Sequence, residues 1–226
     1  MAGEAHKLTV LWDIDGTLML TGGAGITAMK QTLHRLLGVS DYPELEYHGR
    51  TDYAIVQELF RKLDLPFEKH FRAFRQLYHV QLASCLKESR GGLLPGVPEL
   101  LRVMLDDQRC SLGLLTGNAR EAAQLKLAAY GVEHFFDFGG YGDHHLERDD
   151  VAREAHAAAA EKLGAEFHPE RVVVIGDTPA DVKCGRAIGA RVVAVATGGC
   201  SLERLAESKP DFLFPSLADL SLDQLF

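Results

Sequence analysis

An apolar run near the N-terminus ends abruptly at two carboxylates. Residues 8–20 read LTVLWDIDGTLML, so that Asp13 closes the run and Asp15 follows just before a Gly and a Thr. A short apolar run bounded by a turn signal is typical of a strand buried on both faces of a parallel sheet. Ligands bind such sheets at the carboxyl ends of the strands. Because burying two unpaired like charges is costly, the pair predicts a bound cation; a solvated surface turn is the alternative.

Length and charge limit the class of protein. A chain of 226 residues can form one core domain with a smaller domain attached. Its formal net charge of −8 argues against nucleic-acid binding, which needs clustered Lys and Arg. We find neither the ~18 apolar residues of a membrane helix nor, in residues 1–7, the apolar segment of a signal peptide. The four cysteines lack disulfide or C-x-x-C spacing and are expected to be reduced, so we predict a cytoplasmic protein without membrane partners.

A long block between two glycine pairs has the pattern of helices. Apolar residues recur there every three to four positions. Three helices are expected, at about residues 26–37, 52–63 and 67–88. A parallel sheet ordinarily needs a single crossover helix at this point. The pattern therefore predicts a small helical cap domain, residues 21–91, hinged on a core formed by residues 1–20 and 92–226. A larger single core with several packed helices is the alternative.

From residue 94 onward, apolar runs alternate with helical segments. This alternation predicts a parallel sheet wound by right-handed crossovers. Strands are expected at residues 110–115, 135–138, 171–175, 191–196 and, at an edge, 212–214. Helices are expected at residues 97–107, 119–129, 150–163 and from Pro179, with short ones at 202–206 and 217–222. The predicted fold is α/β, a Rossmann-like parallel sheet core with a small all-helical cap domain.

Polar residues follow three of the predicted buried strands. Asp13 and Asp15 follow the first strand, Thr116 follows the second, and Asp177 follows the strand at 171–175, with Asp181 four residues later. The carboxyl ends of parallel strands lie at one edge of the sheet, so these side chains are expected to converge. Hard oxygen ligands without soft ones favour Mg²⁺ over zinc. The sequence therefore predicts a magnesium site at this edge.

These motifs resemble the signatures of the haloacid dehalogenase-like hydrolase superfamily. Members have D-x-D-G-T after the first strand, a Thr or Ser after the second, a Lys, and an acidic G-D-x-x-x-D. The chain contains DIDGT, LLTGN and GDTPAD in that order. GDTPAD with the following VKCGRAIGARVVAVATGG, and LLPGVPELL, look especially like the phosphoglycolate phosphatase branch. The resemblance covers residues 8–226 and implies a helical cap inserted after the first motif.

The resemblance implies a two-step phosphoryl transfer. Asp13 would attack phosphorus to give an aspartyl-phosphate. Asp15 would act as general acid on the leaving oxygen and then as general base on water. Mg²⁺ would be held by Asp13, Asp177 and the backbone carbonyl of Asp15, with Asp181 binding it directly or through water. The transferring oxygens would be met by the Thr116 hydroxyl and by backbone N–H groups near Gly16, Thr17, Gly117 and Asn118.

The chain departs from the family pattern in its cation. Members usually carry a Lys, often as K-P, in the loop after the third strand, but YGDHHLERDDVAREA contains none. Arg148 is the expected substitute, because its planar fork can clamp a phosphate. Arg153 and Lys183 are the alternatives. The remaining polar residues of the loop are expected to be solvated rather than to bind a transition metal: Asp143, His144, His145 and Glu147.

Two local predictions concern loops near the site. Asn118 is expected to begin a helix as its N-cap, with a capping partner three residues later. The segment HGRTD, residues 48–52, lies where this type of cap carries its specificity loop. Arg50 would there meet a second anionic group of the substrate, and His48 or Asp52 a hydroxyl. The alternative is an ordinary helix start with Thr51 as N-cap.

We therefore expect a Mg²⁺-dependent phosphatase acting on a small phosphate ester, as a monomer or homodimer. A phosphomutase resembling β-phosphoglucomutase would keep every core residue and is the alternative. A non-catalytic phosphate-binding protein on the same fold is a third interpretation, which the intact acids disfavour. A dehalogenase is disfavoured because members with that activity lack the second Asp, here Asp15.

Overall fold

The computed structural model describes residues 7–226. The strands are β1 (Leu8–Trp12), β2 (Met19–Leu20), β3 (Gly92–Leu93), β4 (Cys110–Leu115), β5 (Phe138–Gly140), β6 (Val172–Gly176), β7 (Arg191–Val195) and β8 (Phe212–Phe214). The helices are α1 (Ala24–Leu37), α2 (Asp52–Lys62), α3 (Phe67–Glu88), α4 (Val97–Asp106), α5 (Arg120–Ala129), α6 (Arg148–Leu163), α7 (Pro179–Ala187) and α8 (Leu202–Glu207). The prediction about a signal peptide concerns residues that, apart from Lys7, lie outside the described range.

A six-stranded parallel sheet in the order β5-β4-β1-β6-β7-β8 forms the centre of the core. All five residues of β1 are buried, because helices cover both faces of the sheet. Trp12 packs with α4 and α5 on one face, and Leu11 packs with α6 and α7 on the other. This alternation is the two-residue period of a strand. The predicted α/β fold with a Rossmann-like core is confirmed, and the carboxyl end of β1 lies at the middle of the sheet.

Helices α1, α2 and α3 pack against one another around a separate apolar cluster that includes Leu33, Phe60 and Leu82. The chain enters and leaves this helical unit through β2 and β3, which pair as an antiparallel ribbon. Met19 lies opposite Leu93 in that ribbon. The two connections are therefore tied together by backbone hydrogen bonds. The division at residues 21–91 stays a prediction.

The edge strand β5 differs from its predicted position at residues 135–138. Residues Glu133–Phe135 form a 3₁₀ turn, and the strand runs through Gly139 and Gly140 instead. A Cβ on Gly139 would lie 2.8 Å from Leu114 Cβ, and a Cβ on Gly140 would overlap the backbone of α6. Glycine suggested a loop in the sequence, but here it permits close packing between strand and helix.

Other boundaries moved by smaller amounts. Helix α6 begins at Arg148 rather than at residue 150, and the short helix predicted at 217–222 is two 3₁₀ turns, Leu217–Asp219 and Leu222–Leu225. The four cysteines are free thiols, two of them buried. Within residues 7–226, no helix combines the length and apolar character needed to span a bilayer.

Candidate active site

Three buried aspartates meet at the carboxyl ends of β1 and β6. Asp13 directly follows β1, Asp177 directly follows β6, and Asp181 lies in the first turn of α7. One carboxylate oxygen from each lies within 4.8 Å of the others. Sheet pairing continues to the site, because the Asp13 N–H donates to Ile175 O at 3.0 Å. The structure therefore brings together the three predicted carboxylates.

The surroundings of Asp177 fit a metal ligand. Its Oδ1 accepts a hydrogen bond from Thr17 Oγ1 at 3.2 Å, whereas its Oδ2 is buried without a hydrogen-bond partner in the described part of the chain. Gly16 and Gly198 leave the space that this oxygen occupies, since a Cβ on either residue would overlap it. A buried carboxylate oxygen without a partner is costly unless a cation binds it.

The charges at this point also favour a cation. Burial raises the pKa of Asp177, and the negative charges of Asp181 and Asp13 raise it further. Burial likewise raises the pKa of Asp13, although the Arg148 guanidinium opposes that shift. Three carboxylates this close cannot all be ionised cheaply with one arginine as partner. A hard divalent cation such as Mg²⁺ would restore the balance, and the all-oxygen donor set suits it.

Arg148 is the cation that faces these acids. It is the first residue of α6, is 7% exposed, and donates to Asp181 Oδ1 and, at 3.3 and 3.4 Å, to Asp13 Oδ1. Burial alone would lower the pKa of Arg148, but the charges of Asp181 and Asp13 outweigh that effect and raise the pKa above its ordinary value. Arg148 therefore stays protonated. The two alternatives point outward. Arg153 forms an exposed pair with Asp150, and Lys183 lies near Asp149 with 66% of its side chain exposed.

Asp181 has both carboxylate oxygens engaged. Oδ2 accepts from the Thr178 N–H at 3.0 Å and from Thr178 Oγ1 at 2.6 Å, which completes a capping box at the start of α7. Oδ1 accepts from Arg148. A cation bound directly by Asp181 would share its oxygens with these donors. In this conformation Asp181 orients Arg148 rather than presenting a free ligand oxygen.

Asp15 is held by a lysine that the sequence reasoning missed. Lys126 Nζ donates to the Asp15 carboxylate at 2.6 and 2.8 Å and to Asn118 Oδ1 at 2.5 Å. Asn118 Nδ2 donates to Asp15 Oδ2 at 2.7 Å and to Thr116 Oγ1 at 2.8 Å. Burial opposes ionisation of Asp15, but the Lys126 charge and these hydrogen bonds lower its pKa overall.

The sequence does carry a signal for Lys126. On α5 the buried positions are Ala122, Ala123, Lys126 and Leu127, which is the spacing of one helix face. A lysine within such an apolar stripe must find a partner, because an unpaired buried charge is costly. The stripe therefore could have identified Lys126 as a functional candidate.

The predicted N-cap role of Asn118 is wrong. Helix α5 begins at Arg120, and its N-cap residue makes no side-chain capping bond. Two acids from elsewhere accept the first N–H groups instead. Asp52 of α2 accepts from the Ala119 N–H at 2.9 Å, and Asp143 accepts from the Arg120 N–H at 2.8 Å. Asn118 is thereby free to contact the active-site residues.

Two predicted phosphate donors are used elsewhere. The N–H of Gly16 donates to Met19 O at 2.9 Å and that of Thr17 to Ile14 O at 3.3 Å, so both are engaged within the turn after β1. The expectation that these N–H groups face a substrate is corrected accordingly, because the turn must satisfy its own backbone. Thr17 contributes instead through its hydroxyl, which supports Asp177.

Gly117 lies where the loop at residues 48–52 touches the core. Its carbonyl accepts from the Asp52 N–H at 2.7 Å, and a Cβ on Gly117 would overlap the Arg50 carbonyl. His48 of the same loop is exposed and lies beside Gly199. Thr51 caps α2 through the Ala54 N–H at 3.1 Å. The loop is thus closed against the core.

Arg50 lines the cavity beside the acids, but its guanidinium is paired within the cap. Its guanidinium donates to Glu58 Oε2 and to the carbonyls of Glu46 and Ala54, the last two at 3.3 Å. Glu58 is on α2, two turns along from the loop, so the ion pair is local to the cap. The prediction that Arg50 meets a second anionic group is wrong for this closed conformation, because Glu58 already balances its charge.

The loop before α6 shows no metal-ligand geometry. His145 pairs with Glu154 at 2.9 Å, and Asp143 caps α5. In residues 7–226 the group formed by Asp13, Asp177 and Asp181 alone has ligand atoms close enough for one ion. The loop therefore supports neighbouring helices.

A cavity of about 200 Å³ lies between these acids and the cap. It shares Gly49, Arg50 and Arg148 with a wider, open cleft of about 860 Å³. Helices α1, α2 and α3 contribute its apolar wall, while the core contributes the acids and Lys126. Any substrate that reaches Asp13 is therefore in contact with both parts of the chain.

Known proteins resemble this chain both in sequence and in fold. The model of the haloacid dehalogenase-like hydrolase family matches residues 8–189. The pyrophosphatase PpaX of Bacillus pumilus is 28% identical over 224 residues, which covers 96% of each chain. The solved structure of CbbY from Rhodobacter sphaeroides in complex with phosphate superposes with a TM-score of 0.77 at 21% identity, covering 97% of this chain and 99% of the other. A predicted phosphoglycolate phosphatase from Haemophilus somnus has a TM-score of 0.72 at 21% identity and coverages of 96% and 97%.

Proposed function

We propose that this chain, which belongs to the haloacid dehalogenase-like hydrolase family, hydrolyses a small phosphate monoester through an aspartyl-phosphate intermediate with Mg²⁺ as cofactor. The observation that carries the proposal is the position of Asp13. Its carboxylate accepts from the Arg148 guanidinium and lies within 4.8 Å of an oxygen of Asp177, whose Oδ2 has no hydrogen-bond partner among the described residues. A nucleophile, a cation site and a fixed positive charge thus adjoin one another.

Asp13, Asp177 and, by the family pattern, the backbone carbonyl of Asp15 would hold the Mg²⁺, with Asp181 acting through a bound water. Bound there, the ion would neutralise charge on the carboxylates and on the transferring phosphoryl oxygens. The glycines at positions 16 and 198 are what allow Asp177 to point inward.

The protein groups act in two steps. In the first, an Asp13 carboxylate oxygen attacks phosphorus while the bond from phosphorus to the leaving oxygen breaks. Asp15, which must be protonated for this step although Lys126 favours its ionised form, gives that oxygen a proton. In the second, water attacks the phosphorus and passes a proton to the Asp15 carboxylate. Inorganic phosphate leaves and Asp13 is regenerated. Arg148 and the Thr116 hydroxyl supply fixed donors for charge on the phosphoryl oxygens in both steps.

Lys126 is assigned a positioning role in this scheme. With Asn118 it fixes both oxygens of Asp15, whose side chain is 45% exposed and would sample several rotamers without these contacts. Arg148 therefore serves the nucleophile, whereas Lys126 serves the acid and base.

The test is release of inorganic phosphate from a panel of phosphate esters, with Mg²⁺ and with EDTA. We expect turnover that depends on Mg²⁺ and is abolished in Asp13→Asn, with the circular dichroism spectrum of that variant unchanged. A hexose 1-phosphate in the panel, assayed for its 6-isomer as well as for phosphate, separates hydrolysis from mutase activity. Isomer without phosphate, or wild-type turnover by Asp13→Asn, would overturn the proposal.

A further inference from the structure

The cavity beside Asp13 is lined by cations that are already paired with carboxylates and by one further carboxylate, Asp52. We infer that its substrate is the phosphate ester of a small neutral polyol, and that Asp52 selects against esters whose leaving group carries a second negative charge. The inference rests on the proposed function and specifies the substrate class of the same site.

Each lysine or arginine that lines the cavity already contacts a carboxylate. Lys126 contacts Asp15, and Arg148 contacts Asp13 together with Asp181. The third cation, Arg50, is paired with Glu58 on the cap. Within the described range, the charge of each arginine and lysine of the cavity is thus already balanced by a carboxylate, and none presents an unpaired positive charge to an anionic leaving group.

Asp52 adds a negative charge at the same wall. Its Oδ2 accepts from the Ala119 N–H at 2.9 Å, and no cation of the described chain is in ion-pair contact with it. Burial raises its pKa to about 6, with the Lys126 charge and the Ala119 N–H opposing the shift and Asp15 raising it. A phosphate or carboxylate beside Asp52 would meet like charge in a poorly solvated site, whereas a hydroxyl could donate a hydrogen bond to it.

The remaining wall fits a carbon chain. Ile26, Met29 and Ile55 are apolar, and Tyr47 and Tyr78 add aromatic faces with hydroxyl groups. The cavity of about 200 Å³ must also hold the transferring phosphoryl group, and beyond Arg50 it adjoins the wider cleft. A leaving group seated within the cavity itself is therefore short, with a carbon face toward these residues and hydroxyls toward Asp52.

This substrate class differs from what the names of the relatives would suggest. The leaving group of pyrophosphate is phosphate, and the leaving group of phosphoglycolate is an alcohol that carries a carboxylate. Each substrate therefore brings a second anion to the cap side of Asp13. Like charges brought together in such a site reduce binding by several powers of ten unless a cation intervenes. Arg50 is the residue that could intervene, and Glu58 holds it elsewhere.

The experiment compares kcat/KM for glycerol 3-phosphate and erythritol 4-phosphate with kcat/KM for phosphoglycolate and inorganic pyrophosphate. We expect the polyol esters to be preferred by about 10²-fold or more. In Asp52→Asn, which keeps an acceptor for the Ala119 N–H, the preference is expected to narrow by about 10-fold, mainly through faster turnover of the anionic substrates. Glu58→Gln, which releases Arg50, is expected to act in the same direction.

The matched control is Asp143→Asn. Asp143 also accepts from an N–H at the start of α5, from Arg120, but it does not line this cavity. The preference should therefore be unchanged in this variant. Equal narrowing in both Asn variants would assign the effect to helix capping and overturn the role of Asp52.

The outcomes separate the two proposals. If the wild type hydrolyses phosphoglycolate or pyrophosphate with a kcat/KM equal to that for the polyol esters, the inference is overturned and the phosphatase assignment stays intact. No phosphate release from any ester in the wider panel would overturn the proposed function itself. If Asp52→Asn does not fold, an unchanged preference in Glu58→Gln overturns the inference.

Discussion

Replacement of Arg148 by Met should impair both activity and stability. Arg148 is 7% exposed, and its guanidinium lies between two carboxylates that are themselves nearly inaccessible to water. Removing one member of a buried, hydrogen-bonded charge cluster costs about 3–5 kcal/mol, because its partners are left unpaired. Loss of a fixed donor to the phosphoryl oxygens should lower kcat by about 10²–10³-fold. Methionine keeps the aliphatic stem of the side chain to about the position of Nε, so the main loss is the charged guanidinium group.

The assays are urea unfolding at pH 7 and turnover of 4-nitrophenyl phosphate. Arg153→Met is the matched control, since it lies on the same helix in an exposed pair with Asp150 and should change the free energy of unfolding by about 0.5 kcal/mol or less. Saturating Mg²⁺ should restore part of the stability of Arg148→Met, because the ion binds the orphaned carboxylates; at 100 times Kd the gain is about 2.7 kcal/mol. A loss below about 1 kcal/mol together with a less than threefold fall in turnover would refute the buried-cluster account.

Three further predictions concern other parts of the site. Gly198→Ala should abolish Mg²⁺-dependent activity and weaken Mg²⁺ binding in calorimetry, because its Cβ would overlap Oδ2 of Asp177, the proposed Mg²⁺ ligand, whereas Gly92→Ala meets open space and should keep both. Lys126→Met should lower turnover about 10-fold in the wild-type background but cause no further loss in Asp15→Asn; additive losses would contradict a role through that acid. Asp52 has a raised pKa of about 6, so its contribution to stability is present below its unfolded value and is lost as pH rises through 6. Asp13 and Asp177 also have raised pKa values, so stability declines in this range in any variant that keeps them. Between pH 4 and 8 the decline in the free energy of unfolding should therefore be smaller by about 1–2 kcal/mol in Asp52→Asn than in the wild type.

Side chains placed by regular structure could be predicted from the sequence. Asp13 and Asp177 follow strands whose apolar runs leave little doubt about burial, and neighbouring parallel strands bring their ends together. For these two residues local pattern and global fold demand the same placement. Arg148 was predicted instead from the family resemblance, as the substitute for the Lys missing from the loop, and the structure places it at the first residue of α6.

Positions set by a partner distant in sequence were not predictable in the same way. Arg50 was expected to face substrate, but its direction depends on Glu58, eight residues later, and nothing in the loop itself indicates this. Asn118 looks like a helix N-cap, yet the first N–H groups of α5 are taken by acids from two other segments, Asp52 and Asp143. When side chains distant in sequence compete for the first N–H groups of a helix, the competition leaves no periodic pattern in the sequence.

Those two misplacements are connected through helix α5. Asp52 accepts the Ala119 N–H at the start of that helix, and Lys126, two turns later, holds Asp15. The backbone of α2 also bonds the core directly, from the Asp52 N–H to Gly117 O at 2.7 Å. Asp52, a residue of the helical cap, thus accepts a hydrogen bond at the start of the helix that carries Lys126 and positions Asp15, the proposed acid and base. Asp52 also lines the cavity that the leaving group would enter. Closure of the cap around a substrate and correct placement of Asp15 therefore depend on one set of contacts, and a leaving group that displaces Asp52 disturbs both.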